Sequence, residues 1–477
     1  MDQAAEVEVI RSAVAKFFVV YDVKVSNEAI IFYISPEKTT LEAKFDDLRQ
    51  DLTSKNYIPI LEYQKGEYTI AVVRKPALGK RRLWVNVVLL AVTAVTTIIA
   101  GTYLWAGYVA STETWTFENI LYGALFFAVP LMIILGIHEM SHFLMSRRYR
   151  VEASLPYFIP AIPPLGTFGA FISMRDPMPS RKALVDIGAA GPIGGFLVTI
   201  PVAIIGLWLN TKGVPHPLMP PGGQTAIDAS LFYQIMTMFV PQVSDTYMHP
   251  MAFAAWAGFF VTAINLIPAG QLDGGHIARG LFGPYAKYIS FAAFLILMGM
   301  GLLFYSGWLF FGLLVFILGL NHPAPLNDAS KLRGKHLAVG AASIVLLIGS
   351  FTIVPLYAIP VTTTFDLQVQ GDNQTTVLPG GVATFVFVLE NTGTVNITVE
   401  MSVSHVPFGW SAILYPSGAS PDGGTNSLSQ PVAYKGNATI DMQVQASATA
   451  ILGNYTLLLN SDTADQEYTT HFNIIVA

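Results

Sequence analysis

Two histidines four residues apart, His138 and His142, bracket Glu139-Met140-Ser141 near the end of an apolar segment running from about Leu121 to Met145. On a helix that spacing puts both imidazoles on one face, with the Glu139 carboxylate beside them. Two such imidazoles can share a zinc ion, and the neighbouring carboxylate can serve as base toward a water that the metal activates. The plain alternative is a pair of core histidines satisfied by their neighbours. Within lipid that alternative weakens, because an unpaired imidazole or carboxylate there needs a partner or a water-filled cavity.

A hydrolytic zinc site needs a third protein ligand and one open position. Asp273 is the first candidate, in Asn265-Leu-Ile-Pro268-Ala-Gly270-Gln-Leu272-Asp273-Gly274-Gly275-His276. Pro268 and the three glycines would break the helix there and let the chain converge on a metal. His276 is a rival ligand ranked below Asp273, and Asp273 as the cap of the next helix is the bland reading. His216, His249 and His322 lie beside prolines in loops, and His336 is assigned no role.

The elements that must position these groups are membrane helices. The 477 residues are 53% apolar and only 12% charged, the profile of a polytopic membrane protein with soluble appendages. With no Cys, thiolate metal sites, disulfides and Cys nucleophiles are excluded. No basic-aromatic patch suggests a nucleic-acid partner. The acidic, amphipathic N-terminus does not read as a signal peptide.

Apolar segments at about 83–109, 118–145, 183–209, 251–271, 286–304, 306–320 and 337–359 predict about seven spans, the pair around Ser306-Gly307 being read as two short spans and a tight turn. Basic clusters follow the second span (Arg147, Arg148, Arg150), precede the third (Arg175, Arg181, Lys182), lie between the fourth and fifth (Arg279, Lys287) and precede the seventh (Lys331, Arg333, Lys335). All fall on the cytoplasmic side when the N-terminus is cytoplasmic, and the outside loops carry only Lys212. His405 and His471 then lie outside, beyond reach of a site at the cytoplasmic end of the second span.

Three domains are expected. Residues 1–80 alternate helical and strand patterns and form a small cytoplasmic α+β domain, ending in a basic collar of Arg74, Lys75, Lys80, Arg81 and Arg82. Residues 81–360 form the transmembrane domain. Residues 361–477 change to alternating Val/Thr/Phe runs with Pro-Gly-Gly and Asn-Thr-Gly turns, an extracytoplasmic all-β sandwich of about seven strands. Its Asn373, Asn396, Asn437 and Asn454 stand in Asn-x-Thr sequons, so a glycan or surface partner is possible there, as is chance in a Thr-rich domain.

Prolines 156, 160, 163 and 164 stop the region before Arg175 from spanning as a helix, yet Thr167–Met174 is apolar and strand-prone. A re-entrant β-hairpin fits, offering Thr167, Phe168, Gly169, Phe171 and Ile172 as an edge for an unwound substrate segment. The alternative is a surface loop that plugs the bundle. Gly191-Pro192-Ile-Gly194-Gly195 reads as close packing against the His138–His142 span.

His-Glu-x-x-His on one span and Asn-x-x-Pro-x-x-x-Leu-Asp-Gly on a later one resemble the paired signature of the site-2 protease family of intramembrane zinc metalloproteases. Leu165–Phe171, Arg181–Ala183 and Asp186–Pro192 are similar to its archaeal and plastid branch, and the resemblance covers roughly 75–320. It implies one zinc per chain on His138, His142 and Asp273, Glu139 as catalytic base, and Asn265 holding the scissile carbonyl. It further implies regulated intramembrane proteolysis of membrane-protein substrates in the lipid bilayer, in a prokaryotic, archaeal cell membrane. A zinc-stabilised scaffold or chaperone that binds helices without cutting is the competing expectation. A metal transporter is disfavoured, since only Asp186 and the motif residues are polar at depth.

Overall fold

The computed structural model describes residues 3–26, 29–64, 66–76, 82–211, 224–240, 247–329 and 331–477. Lys80, Arg81, Lys212 and His216 lie outside them. The chain divides into two compact units, Met1–Val214 with Asp228–Pro355, and Pro215–Ile227 with Leu356–Ala477.

The first unit opens with α1 (Gln3–Ala15), β1 (Val19–Val25), β2 (Ile30–Ser35), α2 (Leu41–Ser54), β3 (Tyr57–Gln64) and β4 (Glu67–Arg74), the strands forming one antiparallel sheet in the order β1-β2-β4-β3. Leu41, Phe45, Leu48 and Leu52 recur at helical spacing on α2 and are buried on Phe32, Ile70 and Val72 of the sheet. Each such side chain removed from water contributes about 1.5–3 kcal/mol. Leu326, from far along the chain, joins this core, and its carbonyl accepts the Leu61 amide at 2.7 Å. The expected basic collar is partly neutralised. Arg74 pairs with Glu6, and Lys75 Nζ lies 2.6 Å from Asp176.

Next come α3 (Leu83–Tyr108) and α4 (Phe117–Gly123), which passes through a π turn at Ala124–Ala128 into α5 (Val129–Arg148). A hairpin of β5 (Tyr157–Pro160) and β6 (Thr167–Phe171) precedes α6 (Arg181–Asn210). Strand β7 (Gln224–Ile227) belongs to the second unit. The first resumes with α7 (Leu231–Thr237), α8 (Pro250–Leu266), α9 (Asp273–Phe282), α10 (Ala286–Leu303), α11 (Gly307–Leu318) and α12 (Gly334–Ser350). Helix α6 is the hub, packing on α5, α8, α9 and α12.

Among the described residues, four helical stretches are long and apolar enough to cross a membrane: Leu83–Tyr108, Phe117–Arg148, Arg181–Asn210 and Asp273–Leu303. Seven were expected. The other three segments yield apolar helices of 17, 12 and 17 residues. At 1.5 Å per residue, even 17 residues reach only about 26 Å, short of a hydrocarbon core of about 30 Å. Backbone chemistry cuts two of them short: Pro268 stops α8, and Gly319, at φ 93°, ends α11. Around Ser306-Gly307 the chain does turn, so that Leu309 of α11 meets Gly301 of α10 and Met298 meets Gly312.

The second unit pairs β7 with β8 (Leu356–Ile359) and adds β9 (Phe365–Gln370), β10 (Gln374–Val377), β11 (Val382–Asn391), β12 (Ile397–Ser404), β13 (Ser411–Pro416), β14 (Ser427–Val432), β15 (Asn437–Gln445), β16 (Gly453–Asp462) and β17 (Glu467–Val476). These last nine strands, rather than about seven, form sheets β10-β17-β16-β12-β14 and β13-β15-β11-β9. Alternation on β11 turns Ala383, Phe385, Phe387 and Leu389 inward, and Phe385 meets Phe472 of the other sheet across a shared core. Asn373, Asn396, Asn437 and Asn454 are all exposed.

Candidate metal centre and active site

On α5 the buried positions Leu131, Ile134, Leu135, His138, Glu139 and His142 step by three and four, so one helix face carries both the packing and the ionisable groups. Arg147 and Arg148 close its last turn, where cations complement the helix dipole.

His142 Nδ1 donates to the Ile187 carbonyl at 2.7 Å, which leaves the Nε2 lone pair facing inward. That Nε2 lies 3.2 Å from His138 Nε2 and 3.1 Å from Asp273 Oδ2, and His138 Nε2 lies 3.2 Å from the same oxygen. Three atoms this close, each able to present a lone pair inward, suit one shared cation. The triangle also has the right size, since ligands on a tetrahedral ion at bond lengths of about 2.0–2.1 Å stand roughly 3.3 Å apart. The residues therefore fit a zinc-sized cation, as the histidine spacing predicts.

Asp273 reaches this point because α9 begins on it and the segment from Leu266 folds tightly over its first turn. A Cβ at Gly274 would stand 2.1 Å from the Leu266 carbonyl oxygen. The bland reading of Asp273 as the cap of this helix does not hold: Leu272 occupies the cap position, Asp273 is the first helical residue, and its carboxylate turns to the histidines. His276 does not join them. Its Nδ1 lies 2.5 Å from His322 Nε2.

Glu139 is 5% exposed, its Oε1 3.9 Å from His138 Nε2, and the Ile172 backbone amide hydrogen-bonds its carboxylate. Asn265 Nδ2, on the last turn of α8, is 3.4 Å from His138 Nε2. Glu139, His138, Asn265, Thr167, Phe168 and Gly169 line one cavity of about 120 Å³, space for a few waters at roughly 30 Å³ each. Phe171 is not among its lining residues; it pairs with Tyr157 across the hairpin, the rings 5.4 Å apart. Ile172 enters only through its backbone.

Sequence reasoning placed the α6 glycines against this span without seeing how close they come. A Cβ at Gly191 would stand 2.0 Å from His142 Nε2, at Gly194 2.2 Å from Ser141 Oγ, and at Gly195 3.2 Å from His138 Nδ1. Their spacing of three and four was a readable signal. Asp186 accepts the Tyr149 hydroxyl at 2.6 Å and lies 3.6 Å from Nε2 of the buried His336, so it faces away from the metal corner.

Residues 126–307, which contain all five converging side chains, match the family model described as Peptidase family M50. The chain is similar to the Arabidopsis thaliana protein named "Probable zinc metalloprotease EGY1, chloroplastic", 31% identical over 254 residues, 50% of this chain and 45% of that one. The Oryza sativa subsp. indica protein named "Probable zinc metalloprotease EGY2, chloroplastic" is 29% identical over 275 residues, 53% of this chain and 47% of that one. The chain spans about half the length of the curated relatives it matches. With its four spanning-length helices it is an integral membrane protein. These two relatives are named as plastid proteins of plants, which lends nothing to the expectation of an archaeal membrane.

Proposed function

We propose that this chain is an intramembrane zinc metalloendopeptidase that cuts peptide bonds in or near transmembrane segments of other membrane proteins. The observation that carries the reading is the convergence of three metal-ready acceptors with a buried carboxylate and an amide on one small cavity. The names of the plant relatives support zinc and proteolysis.

Zinc, held by His138, His142 and Asp273, would supply Lewis acidity toward water and the scissile carbonyl. Glu139 accepts the proton as the water oxygen bonds to the carbonyl carbon, and delivers it to the amide nitrogen as the C–N bond breaks. Burial keeps bulk water from competing for that carboxylate. The Asn265 amide, aimed at the same corner, donates to the developing oxyanion. Ile172 orients Glu139 through its backbone N–H.

A substrate must arrive unwound, because a helical backbone hides its carbonyls in hydrogen bonds. The hairpin has two strands, so β6 keeps one unpaired side, and Thr167, Phe168 and Gly169 set it beside Glu139. Phe168 and Phe311 both line that cavity, whose volume of about 120 Å³ is smaller than a peptide segment.

We assign residues 1–80 to a cytoplasmic domain, 81–360 to the membrane protease with the three shorter helices completing about seven spans, and 361–477 to an outside sandwich. The basic clusters support that orientation. Regulated intramembrane proteolysis follows as the setting.

The deciding experiment measures zinc content and cleavage of a reconstituted membrane substrate for the parent and Glu139→Ala. The reading expects one zinc in both and cleavage in the parent alone. Equal cleavage by the variant would overturn the mechanism, and zinc with helix binding but no cleavage by the parent would establish the scaffold instead.

A further inference from the structure

A second groove lies on the other side of the HEMSH turn. Ser141 and Leu144 of α5, Ile193 and Gly194 of α6 and Val339 of α12 are among its lining residues, and its volume is about 560 Å³. One end differs in kind, carrying Arg148, Lys335 and Asp186. The carboxylate is already engaged by Tyr149 at 2.6 Å and lies near His336. Arg148 and Lys335 are exposed, and among the described residues neither enters an ion pair.

An apolar trough ending in two cations that form no ion pair among the described residues matches an amphiphile with an anionic head. A transmembrane helix is a poor fit, because a single turn with its side chains fills roughly 500 Å³ and a span needs five or more turns. A lipid chain is narrower. A volume of 560 Å³ falls within the roughly 300–1,000 Å³ of sites that enclose one small molecule. Basic pockets between membrane helices on the cytoplasmic side suit phosphate-bearing head groups.

We propose that this groove binds one anionic phospholipid, its phosphodiester between Arg148 and Lys335 and one hydrocarbon chain along the Ser141–Gly194 seam. The proposal rests on the membrane placement of α5, α6 and α12, not on hydrolysis. It puts the lipid directly behind the turn that holds His138 and His142.

The test is native mass spectrometry of the full chain released from detergent after equilibration with phosphatidylglycerol, phosphatidylcholine or glycerol 1-phosphate. One phosphatidylglycerol per chain should be retained, at least tenfold above phosphatidylcholine, and glycerol 1-phosphate should not. The double variant Arg148→Gln/Lys335→Gln should lose the tenfold preference. Val339→Trp fills the trough, leaves both cations in place and should reduce retention of either lipid at least tenfold, with size-exclusion elution and melting temperature reporting that each variant is folded. Undiminished phosphatidylglycerol retention by folded Val339→Trp, or by the folded double variant, overturns the proposal, as does retention of glycerol 1-phosphate equal to that of the lipid. Because Glu139→Ala must retain the same lipid, failure here is separable from failure of the protease reading.

Discussion

Gly191 leaves no room for a methyl group beside His142, because a Cβ there would stand 2.0 Å from Nε2, the atom turned toward His138 and Asp273. The ring is 3% exposed and tied to the Ile187 carbonyl, so it cannot swing aside without losing that bond. Gly191→Ala should therefore weaken zinc binding at least about tenfold, the scale on which misoriented ligands reduce affinity. Gly299→Ala is the control, since a Cβ there meets nothing within 4 Å. Zinc titration against a chromophoric chelator checks both, and equal affinities would remove the steric role of Gly191.

Asn265→Ala tests the oxyanion donor. Removing one such donor costs about 10²–10³ in kcat. The variant should keep its zinc, because Asn265 is not one of the three converging ligands. A loss confined to KM would mean that Asn265 holds the substrate in the ground state instead.

Substitution by Pro at Phe171 or Ile172 removes a backbone N–H from the β6 end of the hairpin. At Ile172 that N–H serves the Glu139 carboxylate directly. Both variants should lose cleavage of a membrane substrate while remaining folded and zinc-loaded. Phe168→Ala, at an exposed side chain lining the cavity, should change KM more than kcat. Full cleavage by Phe171→Pro and Ile172→Pro would end the strand-edge reading.

Arg49 of α2 joins the N-terminal α+β region to the end of α5. Its buried guanidinium is held by Asp46 at 2.8 Å and donates to the Tyr149 carbonyl at 3.2 Å, with Arg150 O at 3.5 Å. Hydrogen bonds to a charged group contribute about 1.5–3 kcal/mol. Arg49→Met should therefore accelerate amide exchange in α2 and in the last turn of α5. Unchanged exchange would mean that packing around Leu326 holds the sheet unaided.

Glu6 sets a pH window for the same sheet. Hydrogen bonds from Arg74 and then Tyr57 pull its carboxyl from 4.5 down to about 2. A depressed folded-state pKa stabilises above the unfolded value and is lost as pH falls through the folded one. The stability difference between the parent and Glu6→Gln should be constant above pH about 5 and disappear between about 4.5 and 2. Thermal melts across that range check it, and a difference that persists at pH 2 would assign the effect to packing.

Much of this organisation is local and so was readable. The α2 leucines, the β11 alternation and the His138–His142 spacing each report which face of one element is buried, because helices and strands repeat every 3.6 and 2 residues. Apolar runs likewise marked all seven helical segments. Their lengths were less legible, since Pro268 and Gly319 end helices within runs that composition alone would continue.

The sequence by itself determined that a metal-seeking histidine pair and a carboxylate share one face of an apolar helix, and that Asp273 follows a helix-breaking stretch after a later apolar run. Only the tertiary structure decided that Asp273 Oδ2 meets both Nε2 atoms within 3.2 Å, that His276 turns instead to His322, and that Gly191 admits the His142 ring. The reason is physical. Periodicity constrains neighbours along the chain, but groups separated by more than 130 residues meet only when α6 packs against α5, α8 and α9 together. That packing depends on the shapes of all four helices at once.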